Sequence, residues 1–223
     1  MNIPPLLRRR PLLLAIALAA LVAGVLLALQ TRPSEERALE ALQASLQSSM
    51  VLPADFRQVP EFTLTGVDGE PLTESVFEDR WTLLFFGFTS CPDVCPMTLS
   101  VVKNVVERLE KEGVEPPQVV FVTVDPVRDT AARMKEYVAY FDESFVGVSG
   151  EQNALHELTR TLGIVVAFRA DEESPEDYTV DHTASMLLVD PERRLRAKLT
   201  APHEVEPIVA DYLTLRAGLA ELN

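Results

Sequence analysis

Cys91 and Cys95 are the only cysteines in the chain. They stand in the run WTLLFFGFTSCPDVCPMTLSVV, where an apolar strand-like stretch gives way to a helical pattern. A thiol at the start of a helix sits among unpaired N–H groups and the positive end of the helix dipole, which favour thiolate. A spacing of four puts both side chains on one face if both positions are helical. Two sulfurs so placed can hold a soft metal ion. They can also oxidise, since helical Cα atoms four apart are about 6 Å apart, near the long end of disulfide geometry. A purely structural bridge is the weaker reading, because closing one helical turn restricts the unfolded chain very little.

Two thiolates alone make a weak metal site. Cu(I) accepts two or three soft ligands and commonly an imidazole, whereas structural zinc wants four closed ligands. The chain has three histidines, His156, His182 and His203. A four-ligand zinc site would consume nearly every Cys and His, so structural zinc is disfavoured. His156 falls mid-helix and His203 at a helix start after Pro202; both read as surface or capping residues. His182, in YTVDHTASMLLVD, precedes an apolar strand. It is either a third ligand or a loop histidine bonded to its own neighbours.

The elements that must position these residues follow from periodicity and punctuation. EFTLTGVDGEPLTESVF reads as a hairpin turning at Asp68-Gly69. WTLLFFGF (81–88) and QVVFVTVD (118–125) are continuous apolar runs, expected of central strands buried on both faces. Between them Leu99, Val102, Val105, Val106 and Leu109 recur at helical spacing over 96–112, and Gly113 ends the pattern. Asp129 and Thr130 are candidate caps for a helix over 131–141 with Met134, Val138 and Phe141 inward. A short strand (145–150), a helix (151–162), an extended segment (164–170) and an acidic loop (171–178) come next. A hairpin of 184–190 and 194–199 and a helix over 203–220 close the chain. Parallel strands joined by helices, with a late antiparallel hairpin, predict an α/β mixed sheet with helices on both faces. With cysteines just after the first central strand, this is the thioredoxin-like plan. The early hairpin and an extra helix are insertions on it.

Upstream, no polar side chain occurs from Leu12 to Leu29, and Arg8, Arg9 and Arg10 precede the run. As a helix it extends roughly 27 Å, close to a bilayer's hydrocarbon core. Basic residues stay on the cytoplasmic side. The expected organisation is a cytoplasmic N-terminus (1–10), one transmembrane anchor (11–30), a polar helical stalk (31–54) and a single globular domain (55–223). That domain faces the periplasm of a bacterial inner membrane. A cleaved signal peptide is the competing reading, but the run is longer than its usual apolar core and lacks a clear cleavage site at its end. No cysteine stands at the end of the run, where the chain reads QTRPSEE, which excludes a lipoprotein anchor. The formal net charge of −14 argues against nucleic acid, whose phosphates need a basic face.

Three separated motifs, FGFTSCPDVCPMTLS, VFVTVDPVRDT and YTVDHTASMLLVD, resemble the Sco/SenC family of membrane-anchored copper chaperones in order and approximate spacing. The resemblance spans about residues 55–215. It implies assistance in assembling the copper A centre of cytochrome c oxidase. It also implies copper ligation by Cys91, Cys95 and His182, as Cu(I) and with Cu(II) accommodated by the same trio. The partners implied are the oxidase's copper A subunit and, as a candidate donor, another periplasmic copper chaperone. Asp125 would then lie close to the metal loop, or else fix a turn with Pro126. Asp93 reads as a solvated helix-start acid, and Met97 and Met186 as core. A rival function is a thiol–disulfide oxidoreductase acting through Cys91 and Cys95 on the acceptor's cysteines, although such pairs use Cys-x-x-Cys. A peroxiredoxin-like activity is a third reading, disfavoured because Phe88 and Pro92 stand where such enzymes place a Thr three residues before the reactive Cys.

Overall fold

A computed structural model describes residues 15–25, 35–170, 178–220 and 222. Contacts divide the chain into two units, Met1–Ala41 and Leu42–Asn223. In the first, residues 15–25 are helical (α1) and Ile16, Leu18, Leu21, Val22 and Val25 are exposed. Among the described residues no helix is long and apolar enough to cross a membrane. The ends of the expected anchor, 11–14 and 26–30, lie outside the described residues, as do the N-terminus 1–10 and the acidic stretch 171–177.

The second unit is built on an eight-stranded sheet in the order β1-β10-β9-β4-β5-β6-β2-β3. Its members are β1 (Ser49–Val51), β2 (Thr63–Gly66), β3 (Pro71–Thr73), β4 (Thr82–Gly87), β5 (Gln118–Thr123), β6 (Val146–Ser149), β9 (Met186–Val189) and β10 (Leu195–Leu199). β7 (Val166–Ala170) and β8 (Tyr178–His182) pair only with each other, as a separate antiparallel hairpin. β4 runs parallel to β5 and antiparallel to β9, and all six of its residues are buried. The expected early hairpin is present as β2 and β3, with Gly69 supplying the positive φ its turn requires.

α3 (Val94–Lys111) and α4 (Ala131–Phe141) share one face of the sheet. On that face Gly87 lies beneath Cys95 of α3, and Phe121 meets Tyr137 of α4. α6 (Val205–Ala220) packs on α3. α5 (Gln152–Leu162) covers the opposite face: its Leu155 and Thr159 line one cavity with Val124, and Leu162 lines another with Leu187. Gly163 closes α5 in the left-handed conformation.

Two regions differ from the sequence reading. Residues 49–51, read as stalk, form edge strand β1 on β10, while α2 (Glu35–Ser45) precedes them. Asp211 of α6 draws them in by accepting bonds from Gln47 N (2.7 Å), Ser48 N (2.8 Å) and Ser48 Oγ (2.9 Å). Residues 178–182, read as loop, form β8. Its alternation of Tyr178, Val180 and His182 against Thr179 and Asp181 carried that signal.

Candidate metal centre

β4 ends at Gly87, and the chain turns through Phe88–Pro92 into α3. Cys91 N donates to Phe88 O (3.2 Å) in this turn. Cys91 therefore precedes the helix, and only Cys95 lies in its first turn. The pair spans the strand-to-helix junction rather than one helical face. The sulfurs still converge, because Cys95 N donates to Cys91 Sγ at 3.5 Å. His182, at the end of β8, brings Nε2 to 3.4 Å from Cys95 Sγ. One ligand atom from each of Cys91, Cys95 and His182 lies within 4.8 Å of the others. These are the three residues singled out from the sequence.

The imidazole's protonation pattern follows from its partners. Nδ1 lies 3.1 Å from Thr183 O, and a carbonyl oxygen can only accept. Nδ1 therefore donates to that carbonyl, which leaves Nε2 as the ring nitrogen turned toward the sulfurs, the orientation metal-ligating histidines adopt. Phe85 and Phe88 flank the ring edge-on, with centroids at 6.2 and 5.9 Å.

The thiols are unequal. The Cys95 side chain bonds to Cys91 and, with the Asp93 and Cys95 backbone N–H groups, outweighs burial and holds the Cys91 thiol down at about 5. The same bond to Cys91, reinforced by burial, pushes Cys95 far above the ordinary thiol range. One proton thus stays on the inner sulfur while the outer one is thiolate. Cys91 is 9 % exposed and Cys95 is fully buried. Gly87 makes room for the inner sulfur: a Cβ there would sit 2.8 Å from Cys95 Sγ and 2.7 Å from Phe121 Cε2.

Around the trio, the DPVRDT segment supplies the scaffold. Asp129 is buried and accepts from Thr89 N (3.0 Å), Thr89 Oγ1 (2.5 Å) and Thr123 Oγ1 (2.6 Å), pinning the cysteine loop to β5. Thr130 alone caps α4, its Oγ1 accepting from Arg133 N at 3.3 Å. Asp125 does not join the trio. Its carboxylate is taken by Arg128 Nε and by Tyr178 Oη (2.7 Å). Asp93 is exposed and makes no side-chain capping bond. Met186 is core, but Met97 is 63 % exposed, because two residues from Cys95 it falls on the face of α3 turned away from the buried Cys95, Leu99 and Val102. His156 is exposed on α5, and His203 Nε2 donates to Ala184 O (2.9 Å). Sequence reasoning had Gly87, Phe88, Thr89, Arg128 and Tyr178 within its motifs and Phe85 in a strand run, but gave none of them a part in holding the site. Their types are those of ordinary strand and turn residues, and only tertiary placement gives them a role.

This fold and site define a thioredoxin-like domain carrying an open dithiol–imidazole centre. The chain belongs to the SCO1/SenC family, whose profile matches residues 53–216. It is 34% identical over 189 residues to the mitochondrial SCO2 homolog of Bos taurus, spanning 84% of this chain and 68% of that protein. The copper-bound crystal structure of Arabidopsis thaliana ScoI superposes with a TM-score of 0.65 at 31% identity, covering 73% of this chain and 98% of that one. The apo Sco1 solution structure from Thermus thermophilus gives a TM-score of 0.62 at 38% identity, covering 72% and 91%.

Proposed function

We propose that this protein is a membrane-anchored copper chaperone that helps assemble the copper A centre of cytochrome c oxidase. The observation that carries the reading is the convergence of two sulfurs and one imidazole nitrogen within 4.8 Å. Such a donor set suits Cu(I), a soft ion content with two or three ligands. Among the described residues no fourth Cys, His or carboxylate joins the cluster, so the site stays under-coordinated. That openness suits cargo that must leave. Copper would pass by ligand exchange to the cysteines and histidines of the oxidase's copper A subunit, with another periplasmic copper chaperone as its source. The apolar run Leu12–Leu29 behind Arg8–Arg10 supports a single-pass anchor with the domain on the periplasmic side. Extraction of the full chain from membranes by alkaline carbonate would count against that anchor.

The decisive experiment measures copper bound by the reduced, anaerobic protein beside a Cys91→Ser/Cys95→Ser variant. One copper per chain, lost in the variant, is expected. Retention in the variant would remove the dithiol reading.

A second reading rests on the inequality of the two thiols. A low-pKa outer Cys91 and a protonated inner Cys95 are what an attacking and a resolving thiol require. Cys91 thiolate would attack an acceptor disulfide, releasing one acceptor thiolate. Cys95 would then displace the second, leaving the Cys91–Cys95 pair oxidised by two electrons and the acceptor reduced by two. Absence of exchange between the reduced protein and an oxidised copper A subunit, or a reduction potential for the pair well above that of the acceptor's disulfide, would remove this activity.

A further inference from the structure

The imidazole reaches the sulfurs from a hairpin outside the main sheet, which raises the question of what holds it there. β8 pairs only with β7, and among the described residues neither strand joins the eight-stranded ladder. The start of β8 is instead gripped by two side chains from the loop after β5, Arg128 and Asp125. Arg128 Nη1 donates to Tyr178 O (3.0 Å), and its guanidinium carbon stands 4.0 Å from the centre of the Tyr178 ring. The same guanidinium lies 5.6 Å from the centre of Phe88, in the cysteine loop. Arg128 Nε pairs with buried Asp125, which also accepts the Tyr178 phenol (2.7 Å). Phe88 in turn meets the His182 ring nearly perpendicularly, at 84°.

We propose that Arg128 is the positioning residue that clamps the His182 hairpin onto the dithiol loop. One planar cation touches the β5 loop, the cysteine loop and β8 at once. Its Nε is committed to Asp125, its Nη1 to the Tyr178 carbonyl, and its faces to two rings. A lysine ammonium can keep the charge beside Asp125 but cannot stack and bond in this way. With the clamp in place the imidazole is held before the ion arrives, so binding does not spend free energy on ordering the hairpin. The inference rests on the copper reading of the trio.

The test is a double-mutant cycle on Cu(I) affinity, measured by competition with a chromophoric chelator. Arg128→Lys is the primary variant, because it leaves Asp125 compensated and preserves the fold. Tyr178→Ala is the second, because it removes the ring platform and the phenol's bond to Asp125 while leaving the Asp125–Arg128 ion pair in place. Each should weaken Cu(I) binding by roughly tenfold in the wild-type background. Neither should weaken it further in a His182→Ala background. The Cu(II)-loaded variants should also lose imidazole-nitrogen coupling in their electron paramagnetic resonance spectra. Equal losses in both backgrounds would overturn the clamp, since Arg128 would then act on the dithiol or the fold. Unchanged affinity in both variants would overturn it too. If His182→Ala itself binds copper as tightly as the wild type, the trio reading fails and takes the clamp with it. Loss in His182→Ala without loss in the variants sinks the clamp alone.

Discussion

At Gly87 a methyl group would stand 2.8 Å from Cys95 Sγ and 2.7 Å from Phe121. Neither neighbour can retreat easily, since Cys95 and Phe121 are fully buried. Gly87→Ala should cost about 1–3 kcal/mol and push the inner sulfur outward, weakening copper binding. Urea unfolding checks the first effect and chelator competition the second; an unchanged urea midpoint means the site relaxes freely. Cys91 sets a pH dependence. An ordinary thiol ionises near 9.0, but folded Cys91 does so at about 5. Between those values the unfolded chain holds a proton that the folded chain lacks. This pair's contribution therefore grows as pH rises from about 5 to 9, and is lost as pH falls through about 5. Cys95 acts in reverse above 9, where the unfolded chain sheds a proton that the fold keeps. Urea midpoints of wild type relative to Cys91→Ser should thus diverge upward with pH across that window, and parallel curves would refute it. Alkylation of Cys91 should be half-maximal near pH 5, moving up in Cys95→Ala. None of this inequality was readable from the sequence, where the two cysteines look alike. It arises because one sulfur precedes α3 and the other is sealed beneath its first turn.

Among the elements, the loop from β5 to α4 has the most to hold. Asp129 satisfies a backbone N–H and two hydroxyls inside the protein, and Asp129→Ala would strand all three. A loss on the order of 3 kcal/mol is expected. Thr130→Ala removes only a helix cap and should cost about 1 kcal/mol. Thermal unfolding of both variants checks the ranking; equal losses would mean water replaces the buried carboxylate. The pair also shows where sequence reasoning stops. Both residues are good caps by type, and only the proximity of Thr89 and Thr123 turns Asp129 inward. β4 and β5 were legible because strands buried on both faces leave unbroken apolar runs. The hairpin carrying His182 was only half legible, because β8 faces a small partner and its alternation covers few residues.

For the molecule as a whole, the family match begins at residue 53, whereas the compact unit begins at Leu42. The intervening residues are part of the structure. Leu42 packs so closely on α6 that a Cβ at Gly218 would sit 2.7 Å from its Cδ1. Asp211, only 1 % exposed, holds Gln47 and Ser48. A chain begun at 53 should unfold at lower urea than one begun at 42. It should also self-associate, because β10 loses its outer partner and Asp211 its donors. Size-exclusion chromatography and urea unfolding compare the two, and identical behaviour would make β1 dispensable. β1 was invisible in the sequence because three residues after a polar helix show no period; only β10 makes them a strand. The distance between His182 and Cys95 along the chain adds an order of events. The imidazole is encoded 87 residues after the inner thiol. At ordinary synthesis rates the ribosome spends roughly 4 to 17 seconds between them. For that interval each nascent chain carries both sulfurs and no third ligand, so its first encounters with oxidants or metal are those of a bare dithiol.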